Sequence, residues 1–131
     1  MIVLDASAAV EWLLRSRAGI DIDGRILSRA ETLHAPHLLD IEVTHTLRRH
    51  VRARSITVRR AEEALFDLAG APCIRHPHYP LLRRIWELRD SLSAYDATYV
   101  ALAETLDAPL ITCDSKLAAA HGHHARIELV P

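Results

Sequence analysis

The chain opens on an unbroken apolar triplet, Ile2-Val3-Leu4, that stops at Asp5 and Ser7. A short run without alternation suits a strand buried on both faces of a parallel sheet. The pattern then turns helical through Ala8, Val10, Trp12 and Leu13. Arg17 to Arg25 holds Gly19, Asp21, Asp23 and Gly24 and reads as a turn, with a helix of Ile26, Leu27, Ala30 and Leu33 after it. His34-Ala35-Pro36 reads as a short strand. Leu39, Val43, Leu47 and Val51 recur at i, i+4 and predict a long helix from Leu38 to about Arg54. Ser55 and Thr57 mark a turn and a new cap, and Ala61, Leu65, Phe66 and Leu68 carry a helix to Gly70. Cys73-Ile74 predicts a strand, Pro80 opens a helix through Leu88, and another helix spans Ala94 to Asp107. Pro109 to Cys113 is a strand ending on Asp114, a short helix runs to Ala120, and Ile127 to Val130 is the last strand. Apolar strands alternating with helices imply βαβ units: an α/β fold with a central parallel sheet of about five short strands and helices on both faces. With no internal repeat or linker, residues 1–131 are expected to form a single domain around one core.

Composition narrows the function classes. A net charge of -1 lacks the basic signature of a simple nucleic-acid coat. Of 16 basic residues, however, only Lys116 is lysine. Arginine is the better bidentate phosphate ligand, which keeps RNA or DNA open as a partner. The absence of Asn and Gln beside abundant Ala and Arg equally fits a GC-rich genome. No apolar run approaches the ~18 residues of a membrane span, and no basic region precedes the first apolar stretch, as a secretory signal requires. Cys73 and Cys113 fall in predicted strands and read as small buried hydrophobes, so a disulfide is not expected and a cytoplasmic location is. His76-Pro77-His78 and His121-Gly122-His123-His124 lack Cys partners and helical spacing, and read as surface loops, not zinc ligands. Asp21-Ile22-Asp23-Gly24 looks like part of a calcium loop, but positions one and twelve would be Gly19 and Ala30, which excludes it.

Four carboxylates stand apart from the surface charges Glu62, Glu63, Glu87 and Asp90. Asp5 and Asp114 each follow a buried strand, and ligands of open α/β sheets bind at the carboxyl ends of strands. Asp114 equally suits the N-cap of the helix beginning near Ser115. Asp96 completes a capping-box pattern with Ser93, yet at ~100° per residue it projects into the apolar stripe of its helix beside Tyr95, Tyr99, Val100, Ala103 and Leu106. Glu42 projects between Leu38 and Leu39. Its place near a helix start gains ~0.3–1 kcal/mol from the dipole, less than the ~1–3 kcal/mol lost by burying an unsatisfied polar group. Asp40 lies at the edge of the same stripe. Two carboxylates held ~5 Å apart repel by ~3 kcal/mol at an effective dielectric of ~20, and several such pairs would rival a total stability of ~5–15 kcal/mol. If these groups converge, the cluster must hold protons or a cation. Hard oxygen ligands without nearby Cys favour Mg2+ or Mn2+ over Zn2+.

These motifs support a resemblance. The Asp5-x-Ser7 strand end, the helical Glu42, the run Ser93-Ala94-Tyr95-Asp96-Ala97-Thr98-Tyr99-Val100-Ala101-Leu102-Ala103, and Leu110-Ile111-Thr112-Cys113-Asp114 resemble PIN-domain ribonucleases. More narrowly they look like the VapC-type toxins of bacterial toxin–antitoxin pairs. The resemblance implies a PIN-like three-layer α/β/α domain that cuts RNA, often tRNA or rRNA, is silenced by a cognate antitoxin protein, and forms a homodimer. It further implies that Asp5, Glu42, Asp96 and Asp114 hold one or two Mg2+ (or Mn2+), partly through water. Ser7, Thr112 and Ser115 would position the hydration shell or a phosphate oxygen. Lys116 stands where some members carry another acidic residue.

From Val43 to Ala61 there is no acidic residue, and Arg48, Arg49, Arg52, Arg59 and Arg60 offer RNA or antitoxin contacts. Arg59 and Arg60 sit at a helix N-terminus, where positive charge is unfavourable; a solvated face is the alternative for the whole group. Trp12, Leu13 and the Leu65-Phe66 helix supply either core or an apolar partner groove. Two rival functions remain open. A receiver-like signalling domain would also gather Asp residues around Mg2+ and would need Lys116 in the site. A non-catalytic RNA- or protein-binding module would need no metal.

Overall fold

A computed structural model describes residues 1–131. Five strands form one all-parallel sheet: β1 (Ile2–Leu4), β2 (Leu33–Pro36), β3 (Cys73–His76), β4 (Leu110–Thr112) and β5 (Ile127–Leu129), in the order β3-β2-β1-β4-β5. The helices are α1 (Ala6–Leu14), α2 (Arg17–Arg29), α3 (Leu38–Arg52), α4 (Val58–Gly70), α5 (Leu82–Glu87), α6 (Ala94–Leu106) and α7 (Ser115–Ala118), with a short 3-10 turn at Tyr79–Leu81 ahead of α5. This is the expected three-layer α/β/α arrangement. β1, β2 and β4, the centre of the sheet, are buried along their whole length, which is why their sequences show no alternation.

The strand order reverses at β1. From there the chain winds outward through β2 to β3, then crosses back to place β4 on the other side of β1. Such a reversal leaves a crevice at the carboxyl ends of the two central strands, and Asp5 and Asp114 lie at those ends.

One segment departs from expectation. Arg17 to Arg25 is not a turn but the front of α2, and Leu33 belongs to β2. Ser16 caps α2 by accepting the Gly19 N–H at 3.1 Å, and Ile22 is buried. Gly19 marks the close approach of α2 to α1: a Cβ there would lie 2.0 Å from the Glu11 carbonyl oxygen. Asp23, part of the calcium-like fragment, accepts the Trp12 indole N–H at 2.9 Å. Helix contacts outweighed the low propensity of two glycines.

The histidine segments differ too. His76 and His78 are half-buried, with His76 in β3 and its ring stacked on that of His34 in β2. Parallel pairing of β2 with β3 puts Pro36 opposite His76 and brings the two rings together. Cys73 and Cys113 are free and half-buried rather than fully enclosed, and burial raises both thiols, Cys113 to about 11. Leu13 is core, whereas Phe66 is 80% exposed beside Trp12, Ile20 and Asp67.

Candidate metal centre

Asp5 is the organising residue. Its position is fixed from three directions, because one oxygen accepts the Ala8 N–H at 2.8 Å and the Ser7 hydroxyl at 2.7 Å, and the other accepts the Thr112 hydroxyl at 2.5 Å. The Ala8 bond makes Asp5 the N-cap of α1. Ser7 also accepts the Cys113 N–H at 2.9 Å, and Thr112 accepts the Asp114 N–H at 2.9 Å. Two hydroxyls thus tie the ends of β1 and β4 together around a carboxylate that is only 5% exposed.

Asp114 plays the capping role that its position allowed, with Oδ1 accepting the Lys116 and Leu117 N–H groups at 2.8 and 3.4 Å. Capping uses one oxygen and leaves the other free. Ser115 is exposed and makes no side-chain hydrogen bond. In α6, Ser93 accepts the Asp96 N–H at 3.2 Å, half of the capping box. The Asp96 carboxylate takes no backbone N–H in return and is half-buried.

Glu42 lies on α3 across from α6. Its Oε2 accepts the Tyr99 hydroxyl at 2.5 Å, and Tyr99 is 1% exposed. Tyr99 was not among the expected site residues, although its place one helical turn beyond Asp96 on the same stripe was the available signal.

The electrostatics join the four. Burial pushes the Asp5 carboxyl up against the opposing effect of its three donors, and Asp114 pushes it further. Burial raises Glu42 despite Tyr99, with Asp96 and Asp5 adding to the rise. Burial likewise raises Asp96, and Asp114 adds to it. Each carboxylate therefore repels two of the others in a closed ring. None takes part in any ion pair of the molecule. The neighbouring Asp40, by contrast, is forked by Arg75 at 2.8–3.0 Å.

The four do not form a ready-made cage, since no three Asp, Glu, His or Cys side chains are placed to hold a metal ion as they stand. The donor set nonetheless fits a hard divalent cation. It consists of oxygens alone, it is partly dehydrated, no arginine or lysine neutralises it, and Glu42, Asp96 and Asp114 each retain an oxygen without a partner. The arginines fare unequally. Arg48, Arg49 and Arg52 are exposed on the last turns of α3. Arg59 pairs with Glu63, and Arg60 donates to the Leu13 carbonyl at 2.7 Å, so its charge is used within the fold.

A model of the PIN domain matches residues 2–122. The chain is 45% identical over 130 residues to Ribonuclease VapC12 of Mycobacterium tuberculosis, covering 99% of both chains. It is 46% identical over 129 residues to Ribonuclease VapC1 of the same species, covering 98% of this chain and 96% of the relative. Among solved structures, PAE2754 from Pyrobaculum aerophilum superimposes with a TM-score of 0.69 at 26% identity, over 96% of this chain and 81% of that one. Mycobacterium tuberculosis VapC20, described as a sarcin–ricin loop cleaving toxin, gives 0.65 at 16% identity over 91% of this chain and 94% of that one, a likeness of fold alone. The chain belongs to the PIN-domain family and, within it, to the VapC-type ribonucleases.

Proposed function

We propose that this protein is a cytoplasmic, Mg2+- or Mn2+-dependent endoribonuclease that hydrolyses RNA phosphodiester bonds. In this reading it is the toxin of a type II toxin–antitoxin pair, one domain across its length, working as a homodimer neutralised by a cognate antitoxin. The observation that carries the reading is the set of four buried or half-buried carboxylates at the ends of β1 and β4 and on α3 and α6, none paired with a cation. Asp5, Glu42, Asp96 and Asp114 would hold the metal, directly or through water. A divalent cation bound there supplies Lewis-acid stabilisation of a phosphate and acidifies a water molecule.

The chain's own residues do the rest. Asp5 presents a carboxylate that its three donors keep from rotating. Ser7 and Thr112 hold the strand ends in register, so that Asp114 keeps its distance from Asp5. Tyr99 orients Glu42. The exposed Arg48, Arg49 and Arg52 meet either the phosphates of a structured RNA such as tRNA or rRNA, or the acidic segments of the antitoxin. Nothing favours a receiver-like site, because the Lys116 side chain pairs with none of the carboxylates.

The test is cleavage of total cellular RNA by purified protein with Mg2+, read by sequencing RNA ends. Asp5→Ala and Asp96→Asn are each expected to abolish cleavage while leaving a cooperative melt. Undiminished cleavage by either variant would overturn the assignment.

A further inference from the structure

Among helices of eight residues or more, all but one begin on a side chain of their own. Asp5, Ser16, Thr57 and Ser93 each accept a first-turn N–H of α1, α2, α4 and α6. The exception is α3, the helix that carries Glu42. Its cap residue is His37, which makes no side-chain capping bond. A helix start without a partner leaves orphan amides, and here the partner comes from far along the chain. His78, just beyond β3, accepts the Leu38 N–H through Nε2 at 2.8 Å.

Two more contacts hold the same turn. The His37 N–H donates to the His76 carbonyl at 2.9 Å. Arg75 forks Asp40 at 2.8–3.0 Å while its other N–H groups donate to the Cys73 and Leu68 carbonyls, both at 3.0 Å. β3 and the residues after it thus grip α3 at His37, Leu38 and Asp40. Glu42 follows one helical turn after Leu38. With ~1.5 Å of rise and ~100° of rotation per residue, a shift in where α3 starts is passed directly to the Glu42 carboxylate. The capping donor of Leu38 requires a lone pair on His78, which the imidazole has only in its neutral form.

We infer that His78 is a positioning residue for the carboxylate site: by capping α3 from a distant strand it sets where Glu42 presents its oxygens, with Arg75 holding the rotation of the same turn. The inference rests on the reading of Glu42 as a metal-holding carboxylate. It assigns a task in the nuclease site to a residue that touches neither the carboxylates nor the strand ends they occupy.

The experiment compares His78→Leu, which removes the acceptor, with His78→Gln, whose carbonyl oxygen replaces Nε2. Mn2+ affinity is read by calorimetry and RNA cleavage by kcat and KM. His78→Leu is expected to bind Mn2+ up to about 10-fold more weakly, the lower end of the cost of losing a ligand's own hydrogen-bond partner, with kcat lowered and KM for RNA unchanged. His78→Gln should recover most of both. Loss of melting temperature alone, with affinity and kcat intact, overturns the inference, as does failure of His78→Gln to rescue a folded His78→Leu. If His78→Leu does not fold, Arg75→Lys carries the test: it keeps the charge but loses the fork, and undiminished Mn2+ affinity in that variant overturns the inference. Glu42→Gln serves as the control. If it leaves Mn2+ binding and cleavage untouched, the underlying reading of Glu42 fails, separately from any result at His78.

Discussion

The Tyr99 hydroxyl donates to Glu42 at 2.5 Å, joining the two helices that flank the carboxylate ring. A phenol buried to 1% exposure with its one polar atom on a carboxylate has no substitute partner. The bond opposes the rise that burial and the neighbouring Asp96 and Asp5 impose on Glu42. Tyr99→Phe should therefore raise the Glu42 carboxyl further and reduce Mn2+ affinity about 10–100-fold. Packing is retained, so the stability loss should stay near 1 kcal/mol. Calorimetric titration beside a melt separates the two effects, and unaltered metal affinity would count against an orienting role.

Relief of repulsion gives a prediction of the opposite sign. Asp96 has a folded pKa raised above its ordinary 3.8, first by burial and then by Asp114. Its ionised form is disfavoured in the fold, so its contribution is neutral below about pH 3.8 and becomes a penalty as pH rises through the folded value. In EDTA, Asp96→Asn should melt higher than the unsubstituted protein at pH 7, and the gap should close as pH falls toward 4. A lower melting temperature at pH 7 would mean that the side chain serves mainly to support the start of α6.

The Thr112 hydroxyl is both donor to Asp5 and acceptor from Asp114 N–H. Thr112→Val keeps the shape and leaves a buried amide and carboxylate short of a partner. The expected cost is about 1–3 kcal/mol, with Asp5 pushed still higher in pKa. Thr112→Ser should recover both quantities. Equal denaturation midpoints for Thr112→Val and the parent would show that water replaces the hydroxyl at no cost.

His34 makes the fold sensitive to acid. Burial, then His76 and the N-terminal ammonium, lower its pKa from the ordinary 6.5. One ring nitrogen faces His76 at 2.9 Å and the other faces Thr32 at 3.1 Å. A depressed folded value means that stability is complete above about pH 6.5 and drains away as pH falls below it, because the unfolded chain takes up the proton first. Urea midpoints measured from pH 7.5 to 5 should decline more steeply for the parent than for His34→Leu. Parallel declines would place the acid sensitivity elsewhere.

Much of this was legible along the chain, for identifiable reasons. Ile2-Val3-Leu4 and Leu110-Ile111 are unbroken apolar runs because both faces of a central parallel strand are covered, and both lie in strands of the sheet. Glu42 and Asp96 stood out because a charge inside an apolar stripe is costly, and the structure gives both raised pKa values from burial. The front of α2 was misread because Gly19 and Gly24 look like turn residues locally. Their tolerance depends on α1 lying against Gly19, which no window of sequence contains. His76 and His78 were misread for the same reason, since their partners are His34 and Leu38.

The sequence by itself determined the order and type of most elements, the buried strands, and which carboxylates were out of place, because burial leaves its mark on hydrophobic periodicity residue by residue. Only the tertiary structure decided that Asp5, Glu42, Asp96 and Asp114 repel one another, that Tyr99 holds Glu42, and that α3 is started by His78. Those relationships join residues 18 to 109 positions apart. They arise when the sheet reverses its order at β1 and when β3 pairs with β2, events that local propensity does not record.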